Sequence, residues 1–332
     1  MKHNGRNERL KRAYSRYLKD ARRQGAAAID AALAAIERFE VYTIRRDFAA
    51  FHIEQASAFK DDLAEQLNRR TKKRLSFQTQ LQTLAALRSF FTWLADQPGF
   101  RRRIRHSDAN YFSLSLKQTA VARAIREIEG PTVEQVRHVI DQMPVETDVE
   151  KRNRALMAFA LLTGARDDAL ASLRLKHVDV AQRRVLQDAR DVRTKASKTI
   201  EAWFFPVGDD FIGIVEGWIE YLHLKRHWGL EDPLFPKTRV AVGQGNRFES
   251  VGLERACWSN ATSIRAIFRN AFTSAGLPYF NPHSLRKTLA RLRQERCRTP
   301  EEFKAWSQNL GHEKVLTTFT SYGQVDRLRQ RA

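Results

Sequence analysis

Six side chains from Arg166 onward, one of them a choice between two lysines, could together act on a phosphodiester. Tyr322 offers a phenol oxygen, a weak nucleophile at neutral pH that becomes useful where cations surround its target. Arg166 closes the tetrapeptide Thr163-Gly164-Ala165-Arg166. The glycine breaks the helical pattern before it, so the guanidinium should lie in a tight turn, able to grip two phosphate oxygens at once. Taken alone, a surface arginine after a helix end explains that turn equally well. Lys195 and Lys198 fall in Arg193-Thr194-Lys195-Ala196-Ser197-Lys198, at an expected hairpin turn. A lysine there could protonate a leaving oxygen, although most such turns are merely solvated.

His283 and Arg286 belong to Asn281-Pro282-His283-Ser284-Leu285-Arg286. Asn281 is a good helix N-cap and Pro282 a good first residue. The imidazole and guanidinium are three residues apart, hence expected on one face of the first turn. The free amides of that turn favour an anion in the same place. A solvated helix start with incidental basic residues is the bland alternative. His312 follows Leu310-Gly311, and a histidine after a helix end is by itself usually structural.

These residues sit in a strongly basic chain. Of 332 residues, 58 are Lys or Arg and 38 are Asp or Glu, a formal charge of +20 that calls for a polyanionic partner. The excess is spread along the sequence, which favours a basic surface over a basic tail. Cys257 and Cys297 form no C-x-x-C pair, so a zinc site or disulfide framework is not expected. The first 20 residues lack the apolar core of a signal peptide, and no apolar run approaches the ~18 residues of a membrane span. A soluble, intracellular protein is expected, with no membrane partner.

The elements that must position the six residues can be read in outline. Helices are expected over 10–23, 26–39 (Ile29, Leu33, Ile36 and Phe39 on one face), 48–67, and from a Ser76 cap through Leu94. After the basic run Arg101, Arg102, Arg103 and Arg105 the periodicity fades. This sets a helical domain at 1–112, a linker at 113–130 and a second domain at 131–332. Thr132 with Gln135, and Thr299 with Glu302, are capping boxes. Helices are expected at 133–143, 149–162, 211–227 and 261–275. The alternating stretch 178–207 reads as two or three short antiparallel strands. The fold class is mainly α with a small antiparallel β-sheet.

The order of these motifs (T-G-A-R, a lysine hairpin, H-x-x-R, L-G-H and a late tyrosine) resembles the tyrosine recombinase, or phage integrase, family. The resemblance implies an N-terminal helical core-binding (SAM-like) domain ahead of a catalytic domain. It implies that Arg166 and Arg286 clamp the scissile phosphate and that His283 and His312 assist. Lys195 would be the general acid, with Lys198 as the alternative, and Tyr322 would attack to give a 3′-phosphotyrosine. No metal or cofactor is implied. The partners implied are double-stranded DNA with inverted-repeat sites and a tetramer of the same chain on DNA, a monomer or weak oligomer in solution. Accessory DNA-bending proteins and a cytoplasmic, nucleoid-associated location also follow. Arg101, Arg102, Arg103, Lys198, Arg265 and Arg269 are the expected DNA contacts.

Two departures stand out. Tyr322 lies ten residues after His312, one more than the family's usual spacing, and one residue rotates a helix by ~100°. Ala169 occupies a position that is often acidic in the family, with Asp167 and Asp168 beside it. A catalytically silent recombinase-like DNA-binding protein and a type IB topoisomerase-like enzyme are the competing readings.

Overall fold

The computed structural model describes residues 3–124, 130–243 and 246–312. The chain divides into two compact units, residues 1–126 and 127–332.

The first unit is helical: α1 (Gly5–Asp20), α2 (Ala26–Tyr42), α3 (Ile53–Glu65), α4 (Phe77–Ala95) and α5 (Leu116–Arg123). Ser76 caps α4 as expected, accepting from Thr79 N at 3.2 Å. The expected helix over 48–67 is instead a 3-10 turn, Phe48–Ala50, followed by α3, because Phe51 and His52 take extended backbone between them. α5 falls within the segment expected to be a linker. Aromatic rings fill the core: Phe39 meets Phe59, Phe91 and Phe112 edge-on, with centroids 5.2, 5.5 and 5.3 Å apart. Beside that core, Lys11 Nζ lies 2.6 Å from Glu8, 2.9 Å from Glu37 and 2.7 Å from the fully buried Glu40. The acidic cluster is thus filled by an ammonium group, and its Lys11 bond holds the Glu37 carboxyl down at about 2.

The second unit is built around α7 (Asp148–Thr163), which follows α6 (Val133–Asp141) and precedes the single turn α8 (Asp167–Leu170). Every residue from 155 to 163 is buried, as befits a helix that is apolar on all sides. A three-stranded antiparallel sheet follows: β1 (Val178–Asp179), β2 (Arg184–Gln187) and β3 (Ile200–Trp203), with Val185 opposite Ala202. Next come α9 (Asp209–Leu224), the hairpin β4 (Lys237–Val242) and β5 (Phe248–Glu254), then α10 (Thr262–Ser274), α11 (Leu285–Arg296) and α12 (Pro300–Asn309).

The β4–β5 hairpin was not anticipated. Its base is fixed by Arg152, a buried guanidinium that donates to the Pro236 carbonyl and, at 2.9 Å, to Thr238 Oγ1. The same group stacks over Trp258 at 4.7 Å, and burial pulls its pKa down to about 9. α12 closes the open edge of β3: Asn309 accepts from Trp203 N at 2.6 Å and donates to Trp203 O at 2.8 Å. Among the described residues no helix is long and apolar enough to cross a membrane.

Candidate active site

Three loops far apart in sequence meet at one buried guanidinium. Arg286 opens α11 and is 2% exposed. Its Nη1 donates to the Gly164 carbonyl at 2.6 Å, and its Nη2 donates to the Leu310 carbonyl and, at 2.8 Å, to His312 Nε2. Charge-assisted bonds of this kind fix geometry as well as energy. The T-G-A-R turn, the H-S-L-R helix start and the L-G-H corner are thereby tied together.

Each loop is shaped by local sequence. Gly164 ends α7 with φ +58°, and a Cβ there would stand 3.0 Å from both Leu289 Cδ1 and Leu310 Cδ2. Glycine alone satisfies both the left-handed backbone and the close approach. Arg166 is then the N-cap of α8, half-buried, and its side chain makes no hydrogen bond or ion pair among the described residues. Asn281 caps the 3-10 turn Pro282–Ser284, accepting from Ser284 N at 3.2 Å. His283 lies in that turn with an exposed side chain, while Arg286 is buried one step further on. Gly311, at φ +67°, packs against Ile200 at the start of β3, with 2.9 Å from a notional Cβ to Ile200 Cδ1.

The electrostatics follow from this gathering of cations. An arginine can only donate, so His312 Nε2 accepts, which places the ring proton on Nδ1 and leaves the imidazole neutral. Burial, then the charges of Arg286 and Arg166, push the His312 pKa down to about 4. His283 is also lowered, first by desolvation, then by Arg286 and Arg166. Two neutral histidines and two arginines make a pocket suited to an oxyanion.

The lysine segment is longer than a tight hairpin: residues 188–199 join β2 to β3. Lys195 is exposed and starts a 3-10 turn in which Ala196 has φ 60°. Lys198 is half-buried, two residues before Ile200. Arg193 N donates to Ser172 Oγ at 2.9 Å, which anchors the segment just beyond α8. Both anchors, Ser172 and Gly311, flank the arginine pocket. Tyr322 lies outside the described residues.

Of the expected DNA contacts, Arg265 and Arg269 lie on the exposed face of α10. Arg265 Nε donates to Asp167 Oδ2 at 2.6 Å, and Arg269 stacks over Tyr279 at 4.8 Å. Arg101, Arg102 and Arg103 are exposed on the turn after α4, in the first unit. The sequence reading missed the burial of Arg293, which packs over Phe303 at 4.8 Å and stiffens the α11–α12 corner. It also missed Trp306, whose indole donates to the Leu289 carbonyl at 3.1 Å.

The second unit is thus mostly helical with small antiparallel sheets, and it carries the arginine–histidine cluster. The family model described as the phage integrase family matches residues 131–328, more than half of the chain. The chain belongs to that family. Among solved structures, a lambda integrase dimer bound to a COC′ core site is similar at TM-score 0.66 and 13% identity, covering 96% of each chain. The Tn1549 transposon integrase in complex with transposon right end DNA is similar at TM-score 0.62 and 15% identity, covering 97% of each. The XerH site-specific recombinase bound to a palindromic difH substrate gives 0.61 and 16%, covering 97% of this chain and 83% of that one. At such identities the likeness establishes the fold. No curated sequence matches the chain.

Proposed function

We propose that this protein is a site-specific DNA recombinase that cuts and rejoins strands through a covalent link to Tyr322. The observation that carries the reading is the Arg286 guanidinium, which joins the T-G-A-R, H-S-L-R and L-G-H motifs at one point. Family membership and the +20 charge support it.

In this reading the scissile phosphate enters beside Arg166 and Arg286, which stabilise the charge that builds up on its non-bridging oxygens. The Tyr322 oxygen attacks phosphorus and forms a 3′-phosphotyrosine. The bond to the 5′ oxygen breaks, and that oxygen takes a proton from Lys195 or Lys198. His283 and His312, neutral before the phosphate arrives, assist by hydrogen bonding and proton transfer. The ester bond energy is kept in the protein link, so a second 5′ hydroxyl can reverse the step on another strand. The helical first unit serves as the core-binding domain, with Arg101, Arg102 and Arg103 on phosphates. Four copies assemble on inverted repeats in the cytoplasm, and accessory DNA-bending proteins assist.

A nicked suicide duplex carrying a cognate inverted-repeat site tests this. Wild-type protein should give a covalent adduct that Tyr322→Phe does not form. A bound but never cleaved site would favour a silent DNA-binding protein. Relaxation of supercoiled DNA without any site would favour a topoisomerase.

A further inference from the structure

The segment that carries the two lysines is clamped to the arginine turn through one hydroxyl. Ser172 follows the C-cap of α8, Ala171, and is buried. Its Oγ shares a proton between the Asp168 and Ala169 carbonyls, at 3.1 and 3.2 Å, and accepts from Arg193 N at 2.9 Å. α8 does not depend on that hydroxyl, because the Ala169 carbonyl also accepts from the backbone amides of Ser172 and Leu173, at 2.9 and 3.0 Å. Arg193 is held a second time by its side chain: Nη2 donates to the Trp258 carbonyl at 2.8 Å. Trp258 is itself buried against the Arg152 guanidinium. Two further contacts close the stem. Lys176 Nζ lies 2.8 Å from Asp191 Oδ2, and Ala189 N donates to Thr199 Oγ1 at 3.2 Å. Beyond Arg193 the chain exposes Lys195 and turns through Ala196 and Ser197, with φ 60° and 51°.

We propose that Ser172 and Arg193 are positioning residues for the general acid, holding the lysine segment in a fixed relation to Arg166. The inference rests on the recombinase reading above. An acid must reach the 5′ oxygen of the same phosphate that the arginines grip, so the two groups need a common frame. α8 supplies it: Arg166 caps its start, and the Ser172 hydroxyl just past its other end takes the Arg193 amide. Lys195 is two residues past that clamp, a chain reach of at most ~7 Å. Its side chain can swing, but its Cα stays within that radius of a point fixed to α8. Without the clamp the lysine loses this bound, while α8 and Arg166 keep their own backbone bonds. Misplacing a reacting group by about 1 Å can cost about 10²-fold in rate, so a hydroxyl that touches no substrate can govern proton transfer.

The experiment compares Ser172→Ala and Arg193→Ala with wild type in two assays. The first needs no DNA: amide hydrogen exchange of the full chain, read over residues 189–199. Ser172→Ala removes the acceptor of the Arg193 amide and should speed exchange there about 2- to 10-fold, while α7 keeps its protection. The second is single-turnover cleavage at saturating nicked suicide duplex, with oxygen or sulfur at the bridging 5′ position. On the oxygen substrate both variants should be slowed about 10- to 10²-fold. On the sulfur substrate, whose thiolate leaves without a proton, both should cleave at close to the wild-type rate. Arg193 is exposed, so its replacement keeps the fold even where Ser172→Ala does not. Equal slowing on both substrates would mean that the clamp serves the whole pocket rather than the acid, and would overturn the proposal. Unchanged oxygen cleavage in either variant, or unchanged exchange in Ser172→Ala, would overturn it as well. Absence of any wild-type adduct on both substrates would instead refute the recombinase reading, and the role of the clamp in proton transfer with it.

Discussion

The Arg286 guanidinium donates to the Gly164 carbonyl across 122 residues of sequence, at 2.6 Å. One side chain thus serves the packing of the second unit and the charge of its pocket. Arg286→Lys should separate the two. A lysine keeps the cation but cannot hold the Gly164 and Leu310 carbonyls and His312 in one plane. Leaving buried acceptors unpaired costs about 1–3 kcal/mol each, so the urea midpoint should fall measurably. Adduct formation should drop by about 10²–10³-fold, the usual effect of removing one donor to a developing oxyanion. A lysine variant as active as wild type would place Arg286 outside the reacting site.

Gly164→Ala tests the same junction from the other side. The backbone at φ +58° disfavours any side chain, and the new methyl would press on Leu289 and Leu310 at 3.0 Å. Backbone strain and overpacking together should lower stability by about 1–3 kcal/mol in chemical denaturation. The Gly164 carbonyl would shift with them, so cleavage should fall more than DNA binding does. A variant with unchanged midpoint and unchanged cleavage would mean that the turn relaxes freely.

Acid sensitivity should carry the signature of His312. Its folded pKa is about 4, below the ~6.5 of an unfolded histidine. As pH falls below that unfolded value, the unfolded chain binds the proton first, so stability is lost between about pH 6.5 and pH 4 and is level below. At pH 5 the loss from this group amounts to about 2 kcal/mol. His283 shifts in the same direction. Subtracting the stability profile of His312→Gln, whose amide oxygen can still accept from Arg286, should remove the His312 share. If the two profiles are parallel from pH 7 to pH 4, the histidine is not held neutral by the pocket.

What could be read from the sequence was local. Ser76, Thr132, Asn281 and Thr299 each cap the element expected of them, because a cap is decided within four residues. The six candidate residues were chosen by type and order; of these, Arg286 and His312 touch in the described structure, and Arg286 also reaches Gly164, two residues before Arg166. The hairpin β4–β5 escaped notice although Gly243-Gln244-Gly245-Asn246 is a turn signal. Its base is held by Arg152 acting across 84 and 86 residues, and nothing in the local pattern marks that arginine as buried. The Asp167–Arg265 pair is hidden for the same reason. Two aspartates beside Arg166 were visible, but which of them meets α10 depends on how α8 and α10 pack.

In the proposed reaction the general acid is Lys195 or Lys198, and leaving-group chemistry separates the two. Lys195 is exposed on a turn with left-handed Ala196 behind it, whereas Lys198 is half-buried near the start of β3. An exposed side chain on a long connection can swing to the 5′ oxygen when DNA is bound, which favours Lys195. Its replacement by alanine should slow cleavage by about 10²–10⁴-fold, the range for loss of a general acid. A substrate with sulfur in place of the bridging 5′ oxygen leaves as a thiolate and needs no proton. Lys195→Ala should therefore cleave that substrate at close to the wild-type rate, while Arg166→Ala should remain slow on both substrates. Rescue of Lys198→Ala alone would transfer the role to Lys198. Failure of sulfur to rescue either variant would remove both lysines from the proton-transfer step.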